Sequence, residues 1–129
     1  MSALFVIGQL VLGVYFVVAG LSHITKAQGM IGYATMKKIP MPAAAVYVSG
    51  LMLFLGGVGI LSQKYLPISY GMLLAFLVIS AFTIHNFWKE TDANMRMNSM
   101  INFQKNLATA GAIAMLWVMT ERAAICFVV

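Results

Sequence analysis

The chain has 129 residues, of which 62% are hydrophobic and 9% charged, and its formal net charge is +5. A chain of this length predicts one domain, residues 1–129, with no separate soluble module. The basic residues are scattered between apolar runs. The positive charge therefore indicates membrane topology and contact with anionic lipids, and it argues against nucleic-acid binding.

Four apolar runs predict membrane-spanning helices, at approximately residues 3–22, 43–62, 67–88 and 104–120. A helix needs about 20 mostly apolar residues to cross a bilayer, because it rises only about 1.5 Å per residue. We therefore expect an all-α integral membrane protein folded as a four-helix bundle. No Lys or Arg precedes Lys26, and the first run is longer than the apolar part of a signal peptide, so we expect a mature span.

The loops between the spans carry their own signals. Residues 30–39 mix apolar side chains with Lys37 and Lys38, which predicts a short interfacial helix in the first loop, at the level of the lipid headgroups. Pro40 and Pro42 end this helix, because proline disfavours helical backbone in the residue before it. The second loop is short, which predicts an antiparallel hairpin. Residues 95–100 predict a surface turn before the fourth span.

Glycines mark the faces on which helices are expected to meet. Gly13 and Gly20 in the first span are seven residues apart, as are Gly50 and Gly57 in the second. Lipid tails solvate apolar side chains as well as another helix does, so helices in membranes associate through close packing of small residues. We interpret these glycines as seams between helices; the alternative is the lining of a pore.

Basic residues predict the orientation of the chain. Loops one and three, with the span ends next to them, contain six of them, and the other loop and the two terminal segments contain two: Lys26, Lys37, Lys38, Lys89, Arg96 and Lys105 against Lys64 and Arg122. Since basic loops remain on the cytoplasmic side, we expect loops one and three in the cytoplasm and both termini outside.

The absence of acidic residues from the spans and the presence of only one cysteine disfavour two classes of chemistry. No Asp or Glu lies inside a predicted span, which argues against a proton-coupled exporter and against a carboxylate-bridged di-iron site. Cys126 is the single cysteine, so a disulfide or a two-thiol relay within the chain is excluded. We expect no metal site.

Polar and aromatic residues collect where the first and third spans end and the fourth begins. Because successive spans run in opposite directions, these positions are expected at one membrane face. Phe82, His85 and Trp88 are spaced three residues apart, which predicts one shared helix face. Aromatic walls and hydrogen-bond donors suit the ring and carbonyl oxygens of a quinone. The candidate ligand-binding residues are His85, Lys105, Asn106, Phe82, Trp88 and His23, and the catalytic residues are unknown.

Two other interpretations of the same residues stay open. In the first, they form an interfacial belt in which Trp88 anchors at headgroup level and Lys105 extends its ammonium to water. In the second, His23 and His85 ligate a haem, although two histidines at span ends are weak evidence for axial ligation.

Five short segments, in this order, carry a resemblance to a known family: Gly-Leu-Ser-His at 20–23, Ile-Pro-Met-Pro at 39–42, Leu-Gly-Gly at 55–57, His-Asn-Phe-Trp at 85–88 and Phe-Gln-Lys-Asn-Leu at 103–107. With this order and spacing, the chain resembles the DoxX family of small membrane proteins. The resemblance implies a four-helix bundle in the bacterial cytoplasmic (inner) membrane, associated with quinone-linked redox systems.

The leading hypothesis is an accessory or quinone-interacting subunit of a membrane redox system, with a quinone as ligand and no tightly bound cofactor. Its expected partners are the lipid bilayer and the subunits of a redox complex. The alternative is a structural or lipid-binding membrane protein that forms a homodimer through its glycine-rich faces. A small-molecule transporter ranks third, and whether the protein is an enzyme stays open.

Overall fold

The structure is a computed structural model that describes the backbone of residues 2–128 and the side chains of residues 2–123. Within this range it is 87% helical and has no strand, which confirms the all-α prediction. Cys126 lies outside the described side chains. The elements are helices α1 (Ala3–Thr25), α2 (Ala27–Met36), α3 (Pro42–Ser62), α4 (Leu66–Thr83) and α5 (Ala93–Val128), with a single 3₁₀ turn at Phe87–Lys89.

Three segments among the described residues are long and apolar enough to cross a membrane: Ala3–Thr25, Pro42–Ser62 and Leu66–Lys89. Their bounds agree with the first three predicted spans. The fourth predicted span, 104–120, falls inside α5, which is one continuous helix of 36 residues. At 1.5 Å per residue α5 is about 54 Å long, well beyond the roughly 30 Å of a hydrocarbon core.

The chain forms two compact units, divided between Met72 and Leu73 within α4. The N-terminal unit, Met1–Met72, contains α1, α2, α3 and the start of α4. The C-terminal unit, Leu73–Val129, contains the rest of α4, the 3₁₀ turn and α5. The prediction of a single domain stays a prediction.

The glycines of α1 and α3 pack these two helices directly against each other. A Cβ added at Gly20 would lie 2.6 Å from the Phe54 amide nitrogen and 2.7 Å from the Gly50 carbonyl oxygen. A Cβ at Gly57 would lie 2.7 Å from the Val17 amide nitrogen. The seam between helices is therefore confirmed, and we call its four members, Gly13, Gly20, Gly50 and Gly57, the glycine seam.

Residue order along the glycine seam makes α1 and α3 antiparallel. Gly20 faces Gly50 and Gly13 faces Gly57, so the end of α1 lies beside the start of α3. At the opposite end, the Gln9 amide donates a hydrogen bond of 3.3 Å to the Gln63 side-chain oxygen. Gln9 is buried, so this bond satisfies a polar group that would otherwise be costly inside an apolar helix.

Helix α2 confirms the predicted short helix in the first loop, although it begins three residues earlier than expected. Ala27 and Ala34 are buried with Val46 of α3, and Met30, Ile31 and Ile39 pack against this group. The small alanine side chains allow α2 to lie close to the first turns of α3.

Helix α5 begins earlier than the predicted fourth span, and the surface turn predicted at residues 95–100 was wrong. The Asp92 carboxylate accepts a hydrogen bond of 3.0 Å from the Met95 amide, and the Asp92 carbonyl accepts one of 2.9 Å from the Arg96 amide. Asp92 therefore caps the helix. Asn94, Arg96 and Asn98 on the turns that follow are exposed, whereas Ser99 is buried.

Candidate functional site

Helix α4 ends at Thr83, five residues before the end of the predicted span. The Ser80 carbonyl accepts hydrogen bonds from the amides of both Ile84, at 2.9 Å, and His85, at 3.0 Å. The second bond reaches back five residues, which unwinds the helix, and Asn86 is a poor helix former. The prediction that Phe82, His85 and Trp88 share one helix face was therefore wrong.

The turn after α4 nevertheless brings aromatic rings together. The His85 carbonyl accepts a 2.9 Å hydrogen bond from the Phe87 amide, and the Asn86 carbonyl accepts one of 3.0 Å from Lys89. The first bond turns the chain away from α4 and the second closes the 3₁₀ turn, which places Phe87 and Trp88 against Phe103 of α5. Phe82, Phe87, Trp88 and Phe103 form what we call the ring cluster.

Phe103 is the centre of the ring cluster. Its ring centroid lies 5.3 Å from Phe82, 5.5 Å from Phe87 and 5.7 Å from Trp88, each with rings nearly perpendicular. Edge-to-face pairs of this kind are favoured by the aromatic quadrupole. Phe103 is partly buried, whereas Phe82 is 52% exposed and Trp88 46% exposed. Phe103 thus holds the ring cluster together, and the rings of Phe82 and Trp88 are the exposed part of it.

Next to the ring cluster, a polar contact joins α4 to α5. The Asn106 amide donates a 2.8 Å hydrogen bond to the Ser80 hydroxyl, which itself donates to the Leu77 carbonyl at 3.3 Å. Both side chains are buried. Asn106 lies three residues after Phe103, and Ser80 two before Phe82, so the polar contact and the rings are successive layers of one interface.

Lys105 and His85 lie beside these layers. Lys105 is exposed, whereas the adjacent Asn106 is buried. Its carbonyl accepts a 2.7 Å hydrogen bond from the Thr109 hydroxyl. His85 is partly buried at the point where the chain leaves α4.

His23, the remaining candidate, belongs to the N-terminal unit. It lies in the last turn of α1, where its Nδ1 is 2.9 Å from the Ala19 carbonyl oxygen. Its Cβ lies against Gly50 of α3, at 2.6 Å from the place a Cβ on that glycine would take. His23 therefore takes part in the packing of α1 on α3.

Sequence reasoning missed Ser80, whose hydroxyl and carbonyl both shape the site. A serine two residues before Phe82 on an apolar helix is a polar group in need of a partner, and this signal was available. Phe87 and Phe103 occur in the segments at 85–88 and 103–107 that carry the family resemblance, but they were not among the candidate ligand-binding residues. Among the described residues, no group of three His, Cys, Asp or Glu side chains is arranged to hold a metal ion.

The family model described as DoxX matches residues 4–86, well over half of the chain. The match includes the segments at 20–23, 39–42 and 55–57 and ends within the segment at 85–88. The segment at 103–107 lies beyond it. Comparison with curated proteins and with solved structures gives no match.

Proposed function

Because the chain belongs to the DoxX family of membrane proteins, we propose that it is an accessory, quinone-interacting protein of a membrane redox system. The family resemblance implies an association with quinone-linked systems. The proposed location is the bacterial inner membrane, with loops one and three in the cytoplasm, as the distribution of basic residues predicts.

The observation that carries the proposal is the ring cluster with its two outward rings. A quinone headgroup is a flat, electron-poor ring, which pairs favourably with half-exposed aromatic rings such as those of Trp88 and Phe82. Its apolar tail would remain in the lipid. Since the two rings are about half exposed, the proposed ligand exchanges with the membrane and is held less tightly than a resident cofactor.

The polar residues around the cluster divide into two roles in this proposal. Lys105 and His85 are the proposed donors to the quinone carbonyl oxygens. Asn106 already donates to Ser80 at 2.8 Å inside the protein. Its main contribution is therefore to hold α5 against α4, which keeps Phe103 at the centre of the cluster.

The structural alternative includes a homodimer through glycine-rich faces. The faces of the first two spans are among the candidates for such a contact. The glycine seam is buried between α1 and α3 of the same chain, so these four glycines are not available to a second copy. A homodimer would therefore need another surface for the contact between its two subunits.

Co-purification tests the proposal directly. The protein is purified in mild detergent and extracted with organic solvent, and quinone per protein is measured by mass spectrometry. We expect quinone with the wild type and at least a fivefold loss in Trp88→Ala, Lys105→Ala and His85→Ala. Tyr47→Ala is the matched control for an exposed aromatic residue, because Tyr47 lies on α3 and is 47% exposed. Phospholipid without quinone in the wild type would contradict the proposal.

Fluorescence titration gives an affinity for the same site. Trp88 and Trp117 are the two tryptophans of the chain, so Trp117→Phe leaves Trp88 as the single reporter. A short-chain quinone should quench its emission saturably. Lys105→Gln should raise the Kd about tenfold, or ~1.4 kcal/mol, as expected for loss of a charged donor. Linear, unsaturable quenching would mean that the quinone only dissolves in the detergent.

A further inference from the structure

One side of α5 carries a heptad pattern. Positions separated alternately by four and three residues fall on one stripe of the helix, and all of them are exposed. We call this set the heptad stripe: Met97, Ile101, Gln104, Ala108, Gly111, Met115, Val118 and Arg122. The stripe continues for more than three heptads, a length that is typical of a coiled coil.

The opposite side of α5 packs inside its own chain. Ser99, Asn106 and Ile113, which are seven residues apart, are buried and lie across the helix from the heptad stripe. Asn106 donates to the Ser80 hydroxyl of α4 at 2.8 Å. A Cβ added at Gly111, by contrast, would meet nothing within 4 Å. Helix α5 therefore uses one side for its own chain, and the described residues leave a complete heptad face uncovered.

The length of α5 makes this uncovered face costly. Residues 93–103 precede the predicted span and extend the helix by about 16 Å beyond it, on the side of the third loop. In this extension Met97 is 61% exposed and Ile101 55% exposed. Outside the hydrocarbon core, burial of such apolar side chains against a partner is favourable. Within the core, Ala108 and Gly111 allow a second helix to approach closely.

The residues along the heptad stripe suit a second copy of the same chain. Two copies inserted in the same orientation have parallel α5 helices, so a two-fold axis along the membrane normal places each stripe residue opposite itself. The Gln104 amide is both a donor and an acceptor, so it can pair with the same amide of the second copy. The charged residue of the stripe, Arg122, falls beside Glu121 of the second copy in a parallel coiled coil, which places opposite charges together.

We propose that the heptad stripe is the interface of a parallel homodimer, in which two α5 helices form a left-handed coiled coil. A repeat of seven residues imposes this handedness. The interface uses no residue of the ring cluster, so it is independent of the proposed quinone function. It also differs from the glycine seam, which is buried between α1 and α3.

Cysteine cross-linking of the full chain in native membranes tests the proposal. Cys126→Ser removes the natural cysteine, and either Met97→Cys or Met95→Cys then adds one. Both methionines are exposed in the first turns of α5, but only Met97 lies on the heptad stripe. With a mild oxidant, Met97→Cys should form at least about five times as much cross-linked dimer as Met95→Cys, because facing positions of a parallel coiled coil come within reach of a disulfide.

Two results of this cross-linking experiment would overturn the proposal. Equal cross-linking of the two variants would show random collision in the membrane. Cross-linking of Met97→Cys to a different protein, without a dimer, would show that another helix covers the stripe.

A matched pair of glycine variants measures the strength of the dimer. Gly111→Leu and Gly8→Leu both add a side chain where a Cβ meets nothing within 4 Å, so neither is expected to disturb the fold of one chain. Sedimentation in mild detergent gives the dimer dissociation constant. Gly111→Leu should raise it at least about tenfold, because overpacking separates the two helices, and Gly8→Leu should leave it within about twofold. A monomeric wild type, or equal dissociation constants of the two variants, would overturn the proposal.

Discussion

The contact between α1 and α3 differs in kind from the contact between the end of α4 and α5. In the first, glycines bring one backbone within 3 Å of the place where a Cβ on the other would lie. In the second, rings 5.3–6.2 Å apart and a buried amide–hydroxyl bond separate the backbones. Backbone contact buries the glycines, whereas side-chain contact leaves the rings of Phe82 and Trp88 about half exposed. The proposed quinone contact is therefore at the second interface.

The largest loss of stability is expected from disrupting the contact between α1 and α3. Gly20→Val places a branched side chain where the Phe54 amide nitrogen lies 2.6 Å from the new Cβ. Backbone cannot yield as a side-chain tip can, so the expected destabilisation is at least about 3 kcal/mol, the upper end for overpacked cores. Thermal unfolding in detergent, with the yield of monodisperse protein, measures it.

Gly8→Val is the matched control for this change, since a Cβ at Gly8 of the same helix meets nothing within 4 Å. It should unfold within a degree or two of the wild type. An equal loss in both variants would show that valine is harmful anywhere in α1 and that the close approach at Gly20 is not the cause.

Much of the first contact could be predicted from sequence, because it depends on residue spacing alone. Glycines seven residues apart in both α1 and α3 predicted a seam, and the structure confirms it. The bounds of the first two spans, and the start of the third, followed from hydropathy for the same reason: a bilayer selects apolar segments by length.

The second contact could be predicted only in part, because hydrogen bonds decide its geometry. Hydropathy extends the third span to Trp88, but the Ser80 carbonyl binds the amides of both Ile84 and His85, and the helix ends. In the same way, α5 begins directly after Asp92 because the Asp92 carboxylate accepts a hydrogen bond from the Met95 amide, which hydropathy does not indicate. Phe82 and Trp88 are therefore neighbours, with ring centroids 6.2 Å apart, but through a 3₁₀ turn and not through one helix face.

A smaller loss of stability is expected from substitutions in the ring cluster, and it should increase with the number of rings that the substituted residue contacts. Phe103→Ala removes the central ring and three edge-to-face contacts, for an expected loss of about 2–3 kcal/mol, below the full core value because Phe103 is only partly buried. Phe82→Ala removes a ring that is 52% exposed, for about 1 kcal/mol. Unfolding in a denaturing detergent compares the two. A larger loss in Phe82→Ala would contradict the central position of Phe103.

The smallest loss of stability is expected from removing the hydrogen bond between Asn106 and Ser80. Asn106→Ala removes the donor of the 2.8 Å bond to Ser80, and Ser80→Ala removes its acceptor. Hydrogen bonds between helices in membranes average about 0.6 kcal/mol, with a maximum near 1.7, because an unfolded chain in the membrane finds other partners. A double-mutant cycle of these two variants should therefore give a coupling of about 1 kcal/mol.

Thr109→Ala provides the comparison for this cycle. Thr109 is also a polar residue of α5, but its hydroxyl donates to the Lys105 carbonyl of its own helix. Its coupling to Ser80→Ala should be close to zero. Should Asn106 and Thr109 couple equally to Ser80, the bond would not link α4 to α5 in the folded protein. The rings alone would then hold this interface, and loss of Asn106 would leave quinone retention unchanged.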